Sequence, residues 1–193
     1  MIPLSPALTL PPIAAFVRYL LKGSLVLGEE RDALAFAGLH RASIRHMRHG
    51  PWFVDVNART GNVTNWEFNA LQAFFPGLQV LAGEVTMAQE TAEAYADLWD
   101  LTQGTPERWS IRRERPASGL ESYQLRPELV ESAWSLDRAT GSPAWRDLGR
   151  RVLGLLERTK TRCGYAPIAN VTSFQGGNVA NASSHFDEVR GEA

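Results

Sequence analysis

Apolar residues recur at steps of three and four along most of this 193-residue chain, and that spacing constrains the fold more than any other feature. Such a period places the apolar side chains on one face of an α-helix. The pattern is clearest over residues 78–101, where the recurring apolar residues are Leu81, Val85, Ala88, Ala92, Tyr95 and Trp99. The chain is therefore predicted to be all-α.

The same reasoning predicts about six helices joined by short turns. They run from Pro12 to Gly28 and over 30–47, 66–75, 78–101 and 127–136, with a last helix from Pro143 onwards. The apolar stripe of the first helix is predicted to be Phe16, Tyr19, Leu20, Gly23 and Leu27. The inward-facing residues of the last two helices are predicted to be Leu129, Ala133 and Leu136, and then Leu148, Val152 and Leu155. Alternation near Trp52 and a turn at Thr60-Gly61 predict one small β-hairpin, and residues 102–123 are predicted to be loop.

Helices in pairs fit two architectures, a helical-repeat scaffold or an α/α toroid. A repeat scaffold would show self-similarity at a fixed period, and none is found in the sequence. The toroid, built from αα-hairpins, is therefore favoured. A chain of this length buries a core without metal or disulfide staples.

Composition excludes several classes of function. The 20 Lys and Arg residues balance 21 Asp and Glu residues, so no basic excess points to a nucleic-acid partner. A single cysteine, Cys163, excludes an internal disulfide framework and a cysteine-based zinc site. No stretch is apolar enough for a transmembrane segment. The N-terminus lacks a basic residue before Arg18 and is interrupted by prolines, which disfavours a signal peptide.

The segment LRPELVES at 125–132 carries the best candidate for chemistry. Pro127 starts a helix and places Glu128 and Glu131 side by side on its first turn, next to Arg126. Paired carboxylates can activate water for glycoside hydrolysis. The alternative is that acidic residues simply favour the positive end of a helix dipole.

Other motifs leave two interpretations open. Phe75 and Pro76, in LQAFFPGLQVL at 71–81, can line a sugar-binding surface or form a buried helix corner, and burial is favoured. The triplets at Asn62, Asn170 and Asn181 match the N-glycosylation sequon, a short and weak signal for a secretory-pathway chain. The histidines of residues 40–49 alternate with arginines without metal-ligand spacing, which favours a solvated basic helix face.

Taken together and in order, these segments carry a resemblance to a known family. The chain resembles glycoside hydrolase family 47, the class I α-1,2-mannosidases, and within it the ER degradation-enhancing α-mannosidase-like branch. LQAFFPGLQVL and LRPELVES are the most discriminating strings. The resemblance covers residues 16–169 and also rests on YLLKG at 19–23, VDVNARTG at 54–61, PER at 106–108, RATGSPAW at 138–145 and CGYA at 163–166.

The resemblance implies an (α/α)7 barrel with a β-hairpin at one end and calcium-dependent, inverting removal of α-1,2-linked mannose from N-glycans. It assigns Glu128 as the general base, Arg126 as an orienting arginine, and Glu131 to the sugar and calcium-water shell. It implies high-mannose N-glycans on misfolded glycoproteins as partners, together with other components of ER-associated degradation. It also implies residence in the lumen of the endoplasmic reticulum.

The chain departs from the family pattern at several positions. Ala14 and Arg18 stand where that pattern has a catalytic aspartate and a glutamate, and residues 170–193 lack the glutamate and calcium-binding threonine that follow CGYA in the family. The upstream general acid has no counterpart here. We therefore expect a divergent segment over 1–15, a partial barrel over 16–169, a disordered tail over 170–193, and no tight calcium binding.

Two expectations about activity follow. The chain keeps the base without the acid, so it is expected to be a catalytically incomplete fragment. The alternative is a non-enzymatic helical pseudoenzyme or scaffold that binds glycans or misfolded glycoprotein clients.

Overall fold

The chain folds into paired helices with short strands at one side. The computed structural model describes residues 7, 8 and 10–174. Within these residues the α-helices are α1 Leu10–Leu27, α2 Glu30–Met47, α3 Phe75–Leu81, α4 Val85–Thr102, α5 Glu128–Thr140 and α6 Pro143–Arg158, and a 3-10 helix spans Ala70–Phe74. Helix α1 packs on α2, and α5 packs on α3, α4 and α6. The predicted αα-hairpin organisation is confirmed.

Short antiparallel strands hold the connections together. They are β1 Ala7–Leu8, β2 Arg48–His49, β3 Trp52–Phe53, β4 Asp55–Asn57, β5 Val63–Asn65, β6 Glu67–Asn69, β7 Arg108–Ser110, β8 Arg115–Pro116, β9 Lys160–Thr161 and β10 Gly164–Tyr165. The orders β1-β4-β5 and β6-β7-β8 form small sheets, while β2-β3 and β9-β10 are two-stranded pairs. The predicted hairpin is the β4-β5 pair, closed by the turn that contains Gly61.

The apolar side chains of the described residues form two core clusters. The larger one joins α4, α5 and α6 around Tyr95, Leu136 and Leu148, each at most 1% exposed. The smaller one joins α1, β3 and α3 around Val17 and Phe53. The predicted inward faces of α5 and α6 are confirmed, because Leu129, Ala133, Leu136, Leu148, Val152 and Leu155 are all buried.

Helix α1 buries a different face from the predicted one. Ala14, Val17 and Leu21 are buried, whereas Phe16 and Tyr19 are 57% and 75% exposed. The helix is apolar on more than one side, so the periodicity did not settle which side packs.

The region 66–81 also differs from the prediction of a helix ended by Pro76. Glu67–Asn69 forms a strand, and Asn69 Oδ1 then accepts the Leu71 N–H at 2.9 Å and starts the 3-10 helix. Pro76 lies in the first turn of α3 instead of ending a helix, since its missing N–H is not needed there. Gly83, at φ +85°, separates α3 from α4, so 78–101 is not one helix.

Three further predictions are corrected. Residues 102–123 contain β7 and β8, which pair with β6. His40 is 4% exposed and its Nε2 lies 2.8 Å from Glu84 Oε2, so it is not part of a solvated basic face. Val171 and Phe174, predicted to lie in a disordered tail, pack in the larger cluster. The rest of that tail, residues 175–193 with the Asn181 sequon, lies outside the described residues.

One buried hydroxyl fixes α5 against the 3-10 helix and α3. Ser132, 0% exposed, donates to Ala73 O at 2.6 Å and accepts the Gly77 N–H at 3.0 Å. A Cβ at Gly77 would lie 3.4 Å from the same oxygen. Glycine at position 77 therefore permits the close approach of α5.

We expect Ser132→Ala to destabilise the fold by about 2–3 kcal/mol, because it leaves a buried carbonyl and a buried amide without partners. Urea unfolding followed by circular dichroism measures the change. Ser135→Ala is the control, since Ser135 Oγ donates only to Glu131 O in its own helix. It should change the stability by less than about 0.5 kcal/mol. Equal effects of the two variants would contradict the role given to Ser132.

Candidate active site

The start of α5 is held in place by the residues before it. Tyr123, 1% exposed, exchanges two backbone hydrogen bonds with Ile168, and its hydroxyl donates to Arg126 O at 3.2 Å. Leu125 adopts a left-handed φ of 57°, which turns the chain into Pro127. The helix was predicted to start at Pro127. In the structure Pro127 is the N-cap, and the first helical residue is Glu128. Glu128 and Glu131 then both lie in the first turn, as predicted.

Arg126 is held by a carboxylate from another element. Its Nε and Nη2 donate to the two oxygens of Glu107, each at 2.6 Å. Glu107 is itself fixed, because its N–H donates to Ser122 O and its carbonyl accepts the Ala70 N–H. A bidentate, charge-assisted pair of this kind sets both position and orientation. It also raises the pKa of Arg126 above its ordinary value.

Glu131 is engaged by α1. Arg18 donates twice to its carboxylate, once from Nη1 to Oε2 at 3.1 Å and once from Nη2 to Oε1. The Arg18 guanidinium also lies 5.5 Å from the centre of the Phe74 ring. The pair joins residues 113 positions apart and fastens α1 to the start of α5. Arg18 thus keeps the Glu131 carboxylate directed toward α1.

Glu128 differs from its neighbours because one of its oxygens has no such partner. Oε2 is buried and accepts no hydrogen bond from the described residues. Burial raises the pKa of Glu128 above its ordinary value, and the negative charges of Glu131 and Glu107 raise it further, while Arg126 opposes them. A carboxylate with a raised pKa is a stronger base toward water.

A cleft of about 510 Å³ opens beside Glu128. One wall is apolar and comes from the first turns of α1, with Pro11, Pro12 and Ala15. The 3-10 helix contributes a second wall, formed by Leu71, Gln72 and Phe74. This volume falls in the range of small-molecule sites.

The remaining lining of the cleft is polar. It consists of Asp55, Glu67, Asn69 and Arg108. Arg108 Nη1 lies 3.2 Å from Glu67 Oε2, which also accepts from Asn65 Nδ2 at 2.9 Å. None of these residues was singled out from the sequence. Asp55 and Arg108 lie in the strings VDVNARTG and PER, which carry the resemblance, but neither was proposed as a site residue.

The predicted site residues are therefore only partly brought together. Glu128 lines the cleft, while Arg126 and Glu131 flank it in ion pairs with Glu107 and Arg18. Phe75 and Pro76, predicted as substrate-binding residues, are buried in the structure.

Phe75 and Pro76 are corrected to core residues. Phe75 is 1% exposed, and its ring lies 4.6 Å from that of Phe53 in the smaller cluster. Both residues lie in the first turn of α3, where the chain is buried from Gln72 to Gln79. The interpretation as a buried helix corner is the correct one.

Calcium, which the resemblance implies, does not fit the donors seen here. Among the described residues no group of three or more His, Cys, Asp or Glu side chains is arranged to hold a metal ion. Glu131, the residue expected in the calcium-water shell, is paired with Arg18. A guanidinium and a divalent cation compete for the same carboxylate, so the pair with Arg18 opposes cation binding at Glu131.

The sequence profile of glycosyl hydrolase family 47 matches residues 13–186. The chain belongs to glycosyl hydrolase family 47. The match extends past both predicted boundaries, residues 16 and 169.

Curated relatives agree with this assignment. Alpha-mannosidase I MNS4 of Arabidopsis thaliana is 38% identical over 160 residues, which cover 82% of this chain and 26% of the relative. Human ER degradation-enhancing alpha-mannosidase-like protein 2 is 34% identical, with 82% and 28% coverage. The chain thus spans little more than a quarter of the length of these relatives.

A solved structure agrees with the fold. The alpha-1,2-mannosidase from Trichoderma reesei superposes with a TM-score of 0.67 at 22% identity, covering 86% of this chain and 41% of that one. The prediction that the helices form part of a mannosidase barrel is confirmed. No helix among the described residues is both long and apolar enough to span a membrane.

We expect Glu128→Gln to raise the melting temperature at pH 7 by about 2 °C. The pKa of Glu128 is higher in the folded chain than in the unfolded chain, so wild type loses stability as the pH rises through these values. The difference between variant and wild type should vanish below the ordinary glutamate pKa of about 4.3. Differential scanning calorimetry across pH measures it.

Glu93→Gln, on the exposed surface of α4, is the control for this measurement. It removes one carboxylate from the same protein without touching the cleft. A pH-dependent gain of the same size in this control would show that the effect reflects net charge and not the burial of Glu128.

We expect a coupling free energy of about 0.5–1 kcal/mol between Arg18 and Glu131. A double-mutant cycle with Arg18→Ala and Glu131→Ala isolates it. Arg18→Ala removes the contact with Phe74 whether residue 131 is Glu or Ala, so this loss cancels. The coupling should shrink in 1 M salt. The exposed pair Arg150–Asp147 is the control, and a coupling no larger than in that pair would contradict the fastening of α1.

Proposed function

We propose that this chain recognises the terminal α-1,2-linked mannose of high-mannose N-glycans, with Glu128 as the general base of an inverting mannosidase site. The observation that carries the proposal is the half-buried Glu128 carboxylate, whose Oε2 is unpartnered among the described residues at a cleft of about 510 Å³. Family membership and the names of the mannosidase relatives support the substrate class.

The chain's own residues suit the base side of such a reaction. Glu128 accepts a proton from water, and its raised pKa strengthens it in that role. Glu107 keeps the Arg126 guanidinium beside Glu128, where its positive charge stabilises the carboxylate.

Inversion also requires a carboxylic acid that protonates the leaving oxygen. The positions that resemble the family's catalytic aspartate and its neighbouring glutamate hold Ala14, which is buried, and Arg18, which is paired with Glu131. We therefore propose that these 193 residues bind the glycan without completing the hydrolysis. Calcium is implied only by the resemblance to the family, and glycan binding by this chain is proposed without it.

The cellular setting belongs to the same proposal. The names of several relatives refer to ER degradation, including human ER degradation-enhancing alpha-mannosidase-like protein 2. This likeness supports the lumen of the endoplasmic reticulum as the location and misfolded glycoproteins as the source of the glycan.

The test is a paired binding and cleavage assay on the purified 193-residue chain. A fluorescent high-mannose glycan should bind, measured by anisotropy with calcium present, while mannose release stays at the level of Glu128→Gln. Release by wild type that Glu128→Gln abolishes would contradict the expectation of an incomplete site. Absence of binding would contradict glycan recognition.

A second candidate is a scaffold that binds misfolded proteins through apolar contacts. The exposed apolar side chains of α1 and α2 favour it: Phe16, Tyr19, Leu25, Val26, Leu27 and Leu34. An unglycosylated, denatured client protein separates the candidates. Binding of that client together with failure to bind the glycan would favour the scaffold.

A further inference from the structure

Gln72 lines the cleft, and its buried carboxamide makes no hydrogen bond among the described residues. It lies in the 3-10 helix and is 1% exposed, and it lines the cleft beside Glu128. Among the described residues neither Oε1 nor Nε2 has a hydrogen-bond partner. A glutamine side chain offers two donors and two acceptor sites, so this position holds a large unused capacity.

The backbone holds Gln72 firmly in this place. Asn69 starts the 3-10 helix by capping the Leu71 N–H, and the Gln72 carbonyl accepts the Phe75 N–H. One residue further along, the Ala73 carbonyl is tied to Ser132. The side chain is therefore presented by a segment fixed at three consecutive positions.

An unpaired buried carboxamide destabilises a fold, and the few that occur in native proteins need an explanation. Gln72 shares its situation with Glu128, whose Oε2 is also buried and unpartnered among the described residues at the same cleft. Two such groups at one cleft are explained together by a ligand that satisfies both.

The chemistry of the two groups defines that ligand. Ionised Glu128 only accepts hydrogen bonds, whereas Gln72 both donates and accepts. A hydroxyl that donates to Glu128 has lone pairs left for the Gln72 Nε2–H, and a neighbouring hydroxyl can donate to Gln72 Oε1. Adjacent hydroxyls on a small ring are the defining feature of a hexose.

We propose that Gln72 is a ligand-binding residue of this cleft and that its carboxamide binds adjacent hydroxyls of a terminal hexose next to Glu128. The inference rests on the proposed function, since it concerns the same site. It assigns to Gln72 a role in affinity and in the choice of sugar, and no part in proton transfer.

The test replaces Gln72 with methionine, which has a similar length and no hydrogen-bonding amide. The probe is α-1,2-mannobiose, titrated into the full 193-residue chain and followed by nuclear magnetic resonance. Gln72→Met should raise the dissociation constant about 3–10-fold, as expected for the loss of one or two hydrogen bonds. The same variant should raise the melting temperature of the free protein by about 2–4 °C, because an unpaired polar group is removed.

Gln79 supplies a matched control. It is also a glutamine, 0% exposed, with both amide atoms unpartnered among the described residues, but it does not line this cleft. Gln79→Met should raise the melting temperature similarly and leave the dissociation constant unchanged. A purely structural glutamine at position 72 would behave like Gln79 in both measurements.

The outcomes separate this inference from the proposed function. Equal affinity of wild type and Gln72→Met for mannobiose overturns the role of Gln72 and leaves glycan recognition standing. Failure of wild type to bind mannobiose at all overturns both. If Gln79→Met also weakens mannobiose binding, rearranged buried side chains and not lost sugar contacts explain the raised dissociation constant. That result would also overturn the inference.

Discussion

The site depends on a single buried hydroxyl between α5 and the segment that precedes α3. Ser132 donates to Ala73 O and accepts from Gly77 N–H, so the start of α5 and the 3-10 helix cannot shift independently. Glu128 lies one helical turn before Ser132, and Gln72 lies one residue before Ala73. These two hydrogen bonds thus fix the segment that carries Glu128 relative to the segment that carries Gln72.

Charge pairing decides which carboxylate serves the cleft. Three glutamates lie close to the start of α5, and two of them are engaged by arginines from other elements: Glu107 by Arg126 and Glu131 by Arg18. These pairs hold negative charge beside Glu128 without using its Oε2. Their repulsion adds to the effect of burial and keeps the pKa of Glu128 raised. The raised pKa of Glu128 therefore comes first from its burial and then from the negative charges of Glu131 and Glu107.

How well the sequence predicted the structure depended on how one-sided each helix is. Helix α6 has a sharp apolar stripe and a proline in its first turn, so both its start and its buried face were predicted. Helix α1 is apolar on several sides, and there the larger residues were wrongly expected inside. Strands as short as β7 and β8 carry too few residues for alternation to show, so their region was predicted to be loop.

The site shows the same division. Glu128 was predicted because its spacing to Arg126 and Glu131 matches a known motif, which is a local property of the chain. For Phe75 the sequence favoured burial but left a sugar-binding surface open, because an aromatic residue before Pro-Gly occurs in both settings, and the structure buries it. Gln72 lies in the string LQAFFPGLQVL, but the sequence did not indicate that its side chain is buried at the cleft; the next residue, Ala73, is held by Ser132, 59 positions later. Contacts across such distances are set by tertiary packing and leave no local pattern.

The attachment of α1 has a consequence for folding kinetics. Helix α1 packs locally on α2, but the pairing of the preceding β1 with β4 and the bond from Arg18 to Glu131 join residues far apart in the sequence, so these links require large loops to close. The contacts among α4, α5 and α6 are more local and are expected to form earlier. Because Pro11, Pro12 and Ala15 make one wall of the cleft, we expect this wall to be completed late in folding and to open early in native-state hydrogen exchange.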